Sequence, residues 1–418
     1  MPGTQRQSDT AAAITMRGLL RDRRFTSFFT GRLVSLLGSS MTPVALAFAV
    51  LDTSRNSTDL GIVVAAHIIP LIAFVLVGGS IGDRFSRALV LRFSNYGSGI
   101  TQLIVAAVLI TGHYSLTFVA VMEFLNGALD AFTTPALRGI VPQLVDKRNM
   151  QQANSLLASA RNACKVIGPS VAGVLVVTVG GGWAIAIDGI SFVLAGLMFS
   201  TIELPPLESR ETTSTLHSIR VGWHEFRRIP WMWRVVASFT LINIVQTGVW
   251  QVLGPIIAKG TIGEASWGVV LSVKAVGVLI TGIVMYRVVV VRLLTLGQLC
   301  TVLAAAPLIL LGTHSGVFAL AAAGLVAGLG SGVSGVAWDT TIQENIPGRI
   351  LSRMAAYDDF GSYVGIPIGQ LLAAPLALVL GAQHVALAGG IIFAVVALVP
   401  LLSPVVRSIR HPPLTEPA

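Results

Sequence analysis

Hydrophobic positions in this chain fall in long runs, not in alternation. Apolar stretches lie near 25–51, 60–82, 88–111, 115–138, 155–179, 183–202, 235–258, 265–287, 291–312, 316–340, 357–380 and 384–405. Crossing the hydrocarbon of a bilayer takes ~20 predominantly apolar residues, and each run is about that long. Backbone groups in lipid must be satisfied within the segment, so the runs are expected to be helices. Most interruptions are short. The longest, 203–233, repeats Leu216, Ile219, Trp223 and Phe226 at i, i+3, i+7 and i+10, with Arg220, Arg227 and Arg228 beside them. That spacing predicts an amphipathic helix, either lying on headgroups or covering other parts of the protein. The predicted organisation is an N-terminal tail at 1–24, a six-helix half at 25–202, a linker at 203–234, a second half at 235–406 and a tail at 407–418.

Charge changes the picture from twelve runs to an oriented protein. Of 418 residues 54% are apolar and only 11% charged, where a soluble chain carries about 25%. The net charge of +9 would suggest nucleic acid, but the basic residues sit in short loops on alternate sides. One side holds Arg6, Arg21, Arg23, Arg24, Arg84, Arg87, Arg92, Lys147, Arg148, Arg220, Arg227, Arg228, Arg234, Arg287, Arg292, Arg349, Arg353, Arg407 and Arg410; the other holds only Arg55 and Lys259. The positive-inside rule then places both termini in the cytoplasm. No short apolar core with a small-residue cleavage site precedes the first run, so no signal peptide is expected. Cys164 and Cys300 lie within apolar runs and read as unpaired thiols. An arginine-over-lysine bias with abundant Ala and Val suggests a bacterial genome rich in GC.

An internal repeat divides the chain. Gly79-x-x-x-Asp83-Arg84 recurs weakly as Gly282-x-x-x-Tyr286-Arg287, and Val141-Pro142 recurs as Ile346-Pro347. Two parallel halves are the expected source of such matches. The stretch Gly78-Gly79-Ser80-Ile81-Gly82-Asp83-Arg84-Phe85-Ser86-Arg87 resembles the loop between helices 2 and 3 of major facilitator superfamily transporters, G-x-x-x-D-R-x-G-R-R/K. Gly79, Asp83, Arg84 and Arg87 match; Ser86 and Ala88 depart. The resemblance implies an all-α membrane protein of twelve transmembrane helices in two pseudo-symmetric six-helix halves. It also implies that Asp83 latches onto the start of span 11. There Asp358 and Asp359 would oppose it unless Arg84, Arg87 or Arg353 intervenes, so an arginine-bridged cluster is expected. Gly168-Pro169-Ser170-Val171-Ala172-Gly173 resembles the span-5 antiporter pattern G-x-x-x-G-P-x-x-G-G, associated with exporters, and implies a smooth seam between the halves at Gly168, Pro169 and Gly173. Gly361, Gly365 and Gly369 in span 11, and Gly324, Gly328 and Gly332 in span 10, read as packing seams. Residues 135–142, 149–154 and 188–192 are similar to the branch that holds macrolide-efflux and enterobactin-exporter proteins.

Charges inside spans are costly and therefore informative. Glu123 and Asp130 lie two turns apart on one face of span 4, ~10 Å along the axis. Glu123 stands where the superfamily pattern R-x-x-Q-G has an arginine, which makes it a proton-site or cation-site candidate. Lys274 in span 8 lies at a similar depth and is a candidate partner across the halves, with Asp188 in span 6 a rival. Arg32 begins a polar stripe with Ser35, Ser39 and Thr42 in span 1. Asn243, Gln246 and Trp250 share a helical face in span 7; in the resembled fold spans 1, 4, 7 and 10 line the cavity. His67 could titrate near neutral pH, although a lone histidine is more often a packing residue.

These features point to a secondary active transporter, not an enzyme, exporting an amphiphilic small molecule (drug, secondary metabolite or siderophore) by proton antiport with alternating access. The alternatives are a proton-coupled importer of a small metabolite or a non-transporting sensor or lipid-handling protein. No cofactor beyond the proton gradient is expected, since no nucleotide-binding loop G-x-x-x-x-G-K-S/T occurs. The expected partners are substrate, protons and lipid, with no metal and no nucleic acid, in a monomer of a bacterial cytoplasmic membrane.

Overall fold

The computed structural model describes residues 16–54, 57–204, 215–288 and 290–410. Arg6, Arg55 and the side chain of Leu216 lie outside the described residues. Among these, twelve helices are long and apolar enough to cross a membrane and no strand occurs. The first half comprises α1 (Arg23–Val50), α2 (Asp59–Arg84), α3 (Arg87–Ile110), α4 (Leu116–Leu144), α5 (Lys147–Val179) and α6 (Gly181–Ser200). The second comprises α7 (Pro230–Thr261), α8 (Ser266–Arg287), α9 (Leu293–Gly312), α10 (Val317–Asn345), α11 (Leu351–Leu380) and α12 (Ala382–Leu402). A linker helix, Thr215–Arg227, stands between them. We call the membrane face that carries most of the arginines the basic face.

Several helices outrun their apolar stretches toward that face. α4 continues to Leu144, α10 to Asn345, and α11 begins at Leu351 rather than near 357. The added turns of α10 and α11 pack between the halves, where Thr341 and Ser352 are buried, whereas those of α4 put Ile140, Val141 and Leu144 into the core of the first half. Turns on the opposite face show the repeat in backbone form. Gly180 before α6 and Gly381 before α12 both take positive φ, 94° and 84°, which only glycine adopts without strain.

The apolar clusters show where the halves meet. Toward the opposite face each cluster belongs to one half: Met41, Val50, Val105 and Ile185 in the first, Trp250, Leu253, Leu308 and Phe393 in the second. Toward the basic face they cross. Ala158 of α5 packs with Met285, Leu293 and Val336, and Val75 and Ala131 pack with Ala356 of α11. The halves are therefore joined toward the basic face, and toward the other face the described apolar clusters stay within one half each.

α7 is not a uniform helix. Its middle, Gln246–Leu253, is π-helical and is followed by Gly254 and Pro255. Proline lacks the amide hydrogen and its ring crowds the preceding turn, and a widened turn is one way a helix absorbs that. The extra residue rotates the remainder of the helix. Asn243 and Gln246 are half-buried, but Trp250 turns into the core of its own half, its ring 4.7 Å from Trp267. The expected shared face of all three is not formed.

The α2–α4 pair is drawn together by glycines: a Cβ on Gly127 would collide with the carbonyl of His67, and one on Gly78 with that of Ala131. Gly173 faces open space. Gly127→Ala should lower the melting temperature in detergent by an amount matching overpacking of roughly 1–3 kcal/mol. Gly173→Ala should leave it unchanged or slightly raised; scanning fluorimetry of both variants checks this.

Candidate functional site

That close α2–α4 approach sets the position of His67. From α2 the imidazole reaches both acids of α4, with Nδ1 3.3 Å from Glu123 Oε2 and Nε2 3.5 Å from Asp130 Oδ2. One ring flanked by two contacts spans the ~10 Å that two turns place between the carboxylates. Gln102 of α3 donates to Glu123 Oε1 at 3.1 Å. Glu123 is buried, whereas a third of the Asp130 side chain is exposed (33%). A buried acid thus communicates through one imidazole with a solvent-facing acid.

Lys274 takes no part in this group. Its Nζ lies 4.4 Å from the Trp250 ring centroid, a cation–π contact within the second half. Asp188 is also separate: it accepts from Thr42 of α1 at 2.6 Å and is approached by Ser191 at 3.5 Å. The structure does not bring Glu123 and Lys274 together, because each is already held by its own half. Of the α1 stripe, Ser35 and Ser39 return hydrogen bonds to their own helix, to Arg32 O at 3.1 Å and Ser35 O at 2.7 Å, and only Thr42 reaches across.

At the basic face two charge groups join the halves. In the first, Asp83 at the end of α2 accepts from the amides of Ser352 (3.1 Å) and Arg353 (3.2 Å) at the start of α11. A helix N-terminus presents free amides and a positive dipole end, so an anion is favoured there. Arg353 Nε stands 3.5 Å from Asp83. Arg87 approaches it at 3.4 Å and donates to Gly139 O (2.6 Å), Ser352 Oγ (3.0 Å) and Gly348 O. Gly79 allows the approach, since a Cβ there would meet Ala356. Arg84 makes no ion pair among the described residues.

Asp358 and Asp359 do not join that cluster. They sit nearly two turns further along α11, and a residue not anticipated from the sequence, Arg138 of α4, takes them. Its guanidinium reaches Asp358 at 2.6 Å, Asp359 at 3.1 Å and Asp339 of α10 at 3.6 Å. Trp338 also donates to Asp358 at 2.8 Å. The expected arginine-bridged cluster is thus two clusters, with different arginines. Arg161 of α5, 3.9 Å from Asp339, was likewise missed, as was Lys165 one turn on. Their signal was present as an i, i+4 pair of cations inside an apolar run. Arg32, Arg138, Arg161, Asn154, Asp339 and Tyr363 line a cavity of about 360 Å³ between the halves.

The second seam is the repeat's counterpart. Gly282 of α8 lies against Ser159 of α5, as Gly79 lies against α11. Here Tyr286 replaces the acid. Gln151 at the start of α5 donates instead to the carbonyls that end α8, Met285 O at 2.8 Å and Val288 O at 2.5 Å. The antiporter-like glycines do not contribute to this seam. Gly168 packs on Ser40 of α1 in its own half, and Gly173 touches nothing, because at their level the halves have already parted. Gly361, Gly365 and Gly369 pack on α7, and Gly324, Gly328 and Gly332 on α8.

Helix topology, buried inter-half charges and the α2–α3 turn define a membrane transporter of two repeated halves. The Major Facilitator Superfamily profile matches residues 28–347, and the chain belongs to that superfamily. It is 25% identical over 360 residues to the multidrug efflux pump Tap of Mycolicibacterium fortuitum, covering 81% of this chain and 86% of the relative. It is similar to the staphyloferrin A transporter of Staphylococcus aureus, 25% identical over 268 residues, 62% of this chain and 66% of that one. Among solved structures, a bacterial homologue of the iron transporter ferroportin in an outward-facing state superposes with a TM-score of 0.74 at 16% identity, over 90% of this chain and 99% of that one.

Arg87 is buried and bridges Asp83 to Gly139 O, Gly348 O and Ser352 Oγ, so Arg87→Gln should break several buried contacts at once and cost on the order of 3 kcal/mol. Arg84→Gln should cost far less. Melting temperatures of the two purified variants decide this.

Proposed function

We propose that the protein is an exporter of amphiphilic small molecules driven by proton antiport. Its coupling residues are His67, Glu123 and Asp130, and both its termini are cytoplasmic. The observation that carries the reading is a layout shared by two helices. α2 bears His67 and Asp83; α4 bears Glu123, Asp130 and Arg138. Each therefore holds part of a proton-binding group in the membrane and part of a clamp between the halves. Pro70 lies between the two groups on α2 and Pro135 between them on α4, where the missing amide bond permits bending.

The chemistry rests on the imidazole. Protonated, it presents an N–H to each carboxylate; neutral, it turns one lone pair toward an acid. Loss of the proton thus sets repulsion between α2 and α4, unless a carboxyl is protonated in its place. Antiport requires that a proton taken up from the open cleft cross with the protein. Protonation of Asp130 would weaken its hold on the imidazole and loosen α2 and α4 together with Asp83 and Arg138, and the proton would leave once the basic face is open. The proton shifts the equilibrium by the difference in its affinity for the two arrangements. Substrate would occupy the cleft between the halves, near Arg32, Asn243 and Gln246. Relatives described as a multidrug efflux pump and a staphyloferrin A transporter support a small-molecule cargo.

The reading is tested in proteoliposomes under an imposed pH gradient, with ethidium as probe. Wild-type flux should track the gradient. Glu123→Gln, Asp130→Asn and His67→Gln should each lower it by roughly 5–150-fold, the range of a typical coupling free energy. Flux that ignores the gradient in well-incorporated protein would refute proton coupling.

Asp83→Asn keeps an acceptor for the α11 amides but loses the charge facing Arg87 and Arg353. It should shift the population toward opening at the basic face, read as faster labelling of a cysteine placed at Ser155. Unchanged labelling would remove Asp83 from the clamp.

A further inference from the structure

We propose that the groove between the linker helix and the basic ends of α7 and α11 binds an anionic phospholipid. The groove encloses about 550 Å³. Its outer end is formed by Arg227 and Trp223 of the linker helix, and its inner end by Val236 and Ala237 of α7 and Phe360 of α11. The inner residues belong to membrane spans, so that end lies at hydrocarbon depth; Arg227 belongs to the linker, outside any span. A cation above an apolar slot is the shape of a phosphate on an acyl chain.

The exposures agree with a lipid occupant and not with a buried core. Trp223 is 50% exposed, Trp233 39% and Phe360 37%. Tryptophans at the ends of spans settle at headgroup level. Arg227 and its neighbour Arg228 are exposed and make no ion pair among the described residues. The nearest acid on the linker helix, Glu225, faces Arg353 at 3.8 Å. Arg234, at the same level, is directed away, donating to Ser403 at 2.5 Å. An anion approaching the groove therefore meets cations that no described acid neutralises, in a leaflet where basic juxtamembrane residues attract acidic lipids.

The site has a consequence for the clamp. The linker helix accepts a hydrogen bond from Tyr357 at Ile219 O (2.5 Å) and from Arg353 at Ser218 O (3.3 Å). Trp223 and Phe226 pack against the Tyr357 ring at a tilt, with 5.8 and 5.3 Å between centroids. Arg353 is also a partner of Asp83. A lipid that seats Trp223 and Phe226 would thereby hold the helix over Arg353 and keep the basic face shut. This consequence rests on the clamp reading above; the lipid site itself does not.

Native mass spectrometry of the full chain, released from detergent with equal phosphatidylglycerol and phosphatidylcholine, tests the site. Wild-type protein should retain phosphatidylglycerol several-fold over phosphatidylcholine. The double variant Arg227→Gln with Arg228→Gln should lose that preference, and Arg227→Lys with Arg228→Lys should keep it. Arg92→Gln, on the same face but beside Phe93, should not alter it. Equal retention of both lipids by wild type, or an undiminished preference in the double Gln variant, would overturn the proposal. So would a dimer in place of bound lipid that the double Gln variant abolishes. Retention is read without gradient or substrate, so it can fail while proton coupling stands, and coupling can fail while it holds.

Discussion

One guanidinium among three carboxylates sets the terms for the rest of the molecule. Arg138 meets Asp339, Asp358 and Asp359 across the boundary between the halves, in surroundings where an uncompensated charge is expensive. The contact is strong while the halves touch. Were the halves to part, water would have to replace every partner at once, which would favour two arrangements over a continuum between them. Asp83 on the α11 amides repeats the principle with a helix end added to two arginines. Ordinary apolar packing could not make the boundary so conditional, since contact between lipid-facing side chains changes little when acyl chains replace it.

Two helices carry both that boundary and the acids of the membrane interior. α2 and α4 are in close contact through glycine-to-carbonyl packing at Gly78 and Gly127, which leaves no room for water between their backbones. Among the described residues the ionisable link between them is His67 with its two acids. The histidine thus joins the same two elements that hold Asp83 and Arg138.

Much of this was legible in the chain. Apolar run length counts spans because lipid admits no other backbone solution, and the runs near 25–51 and 384–405 lie within a few residues of α1 and α12. The helix ends were less legible. Residues 139–144, 341–345 and 351–356 fall outside the apolar runs because prolines, polar side chains and Arg353 interrupt them, yet they continue the helices into contacts at the basic face. Arg138, the last residue of the fourth run, carries no signal of the three acids it meets. His67 is hard to place because a histidine taken by itself carries no address; only Gly127 on α4, one turn from either acid, could have located it. A fixed 3.6-residue period misplaces Trp250, since it fails where Pro255 forces a wider turn. The linker helix was legible as amphipathic, but not which surface its apolar side would meet. Ile219 and Phe226 cover α11, and Trp223 remains half outside.

The glutamine at the start of α5 carries a mechanical corollary. Gln151 joins α5 to α8 through amide and carbonyl dipoles alone, while the facing seam between α2 and α11 relies on ions. Neutral dipoles are indifferent to acid and to salt, and ions are not. Of the two seams on opposite flanks of one boundary, the glutamine contact is the one that acid and salt leave unchanged, with the Arg161–Asp339 pair further along the same helix as its one ionic companion among the described residues. Under the transport cycle proposed above, the halves would swing apart as a book opens from one edge, hinged nearer the glutamine, despite the near-symmetry of their folds.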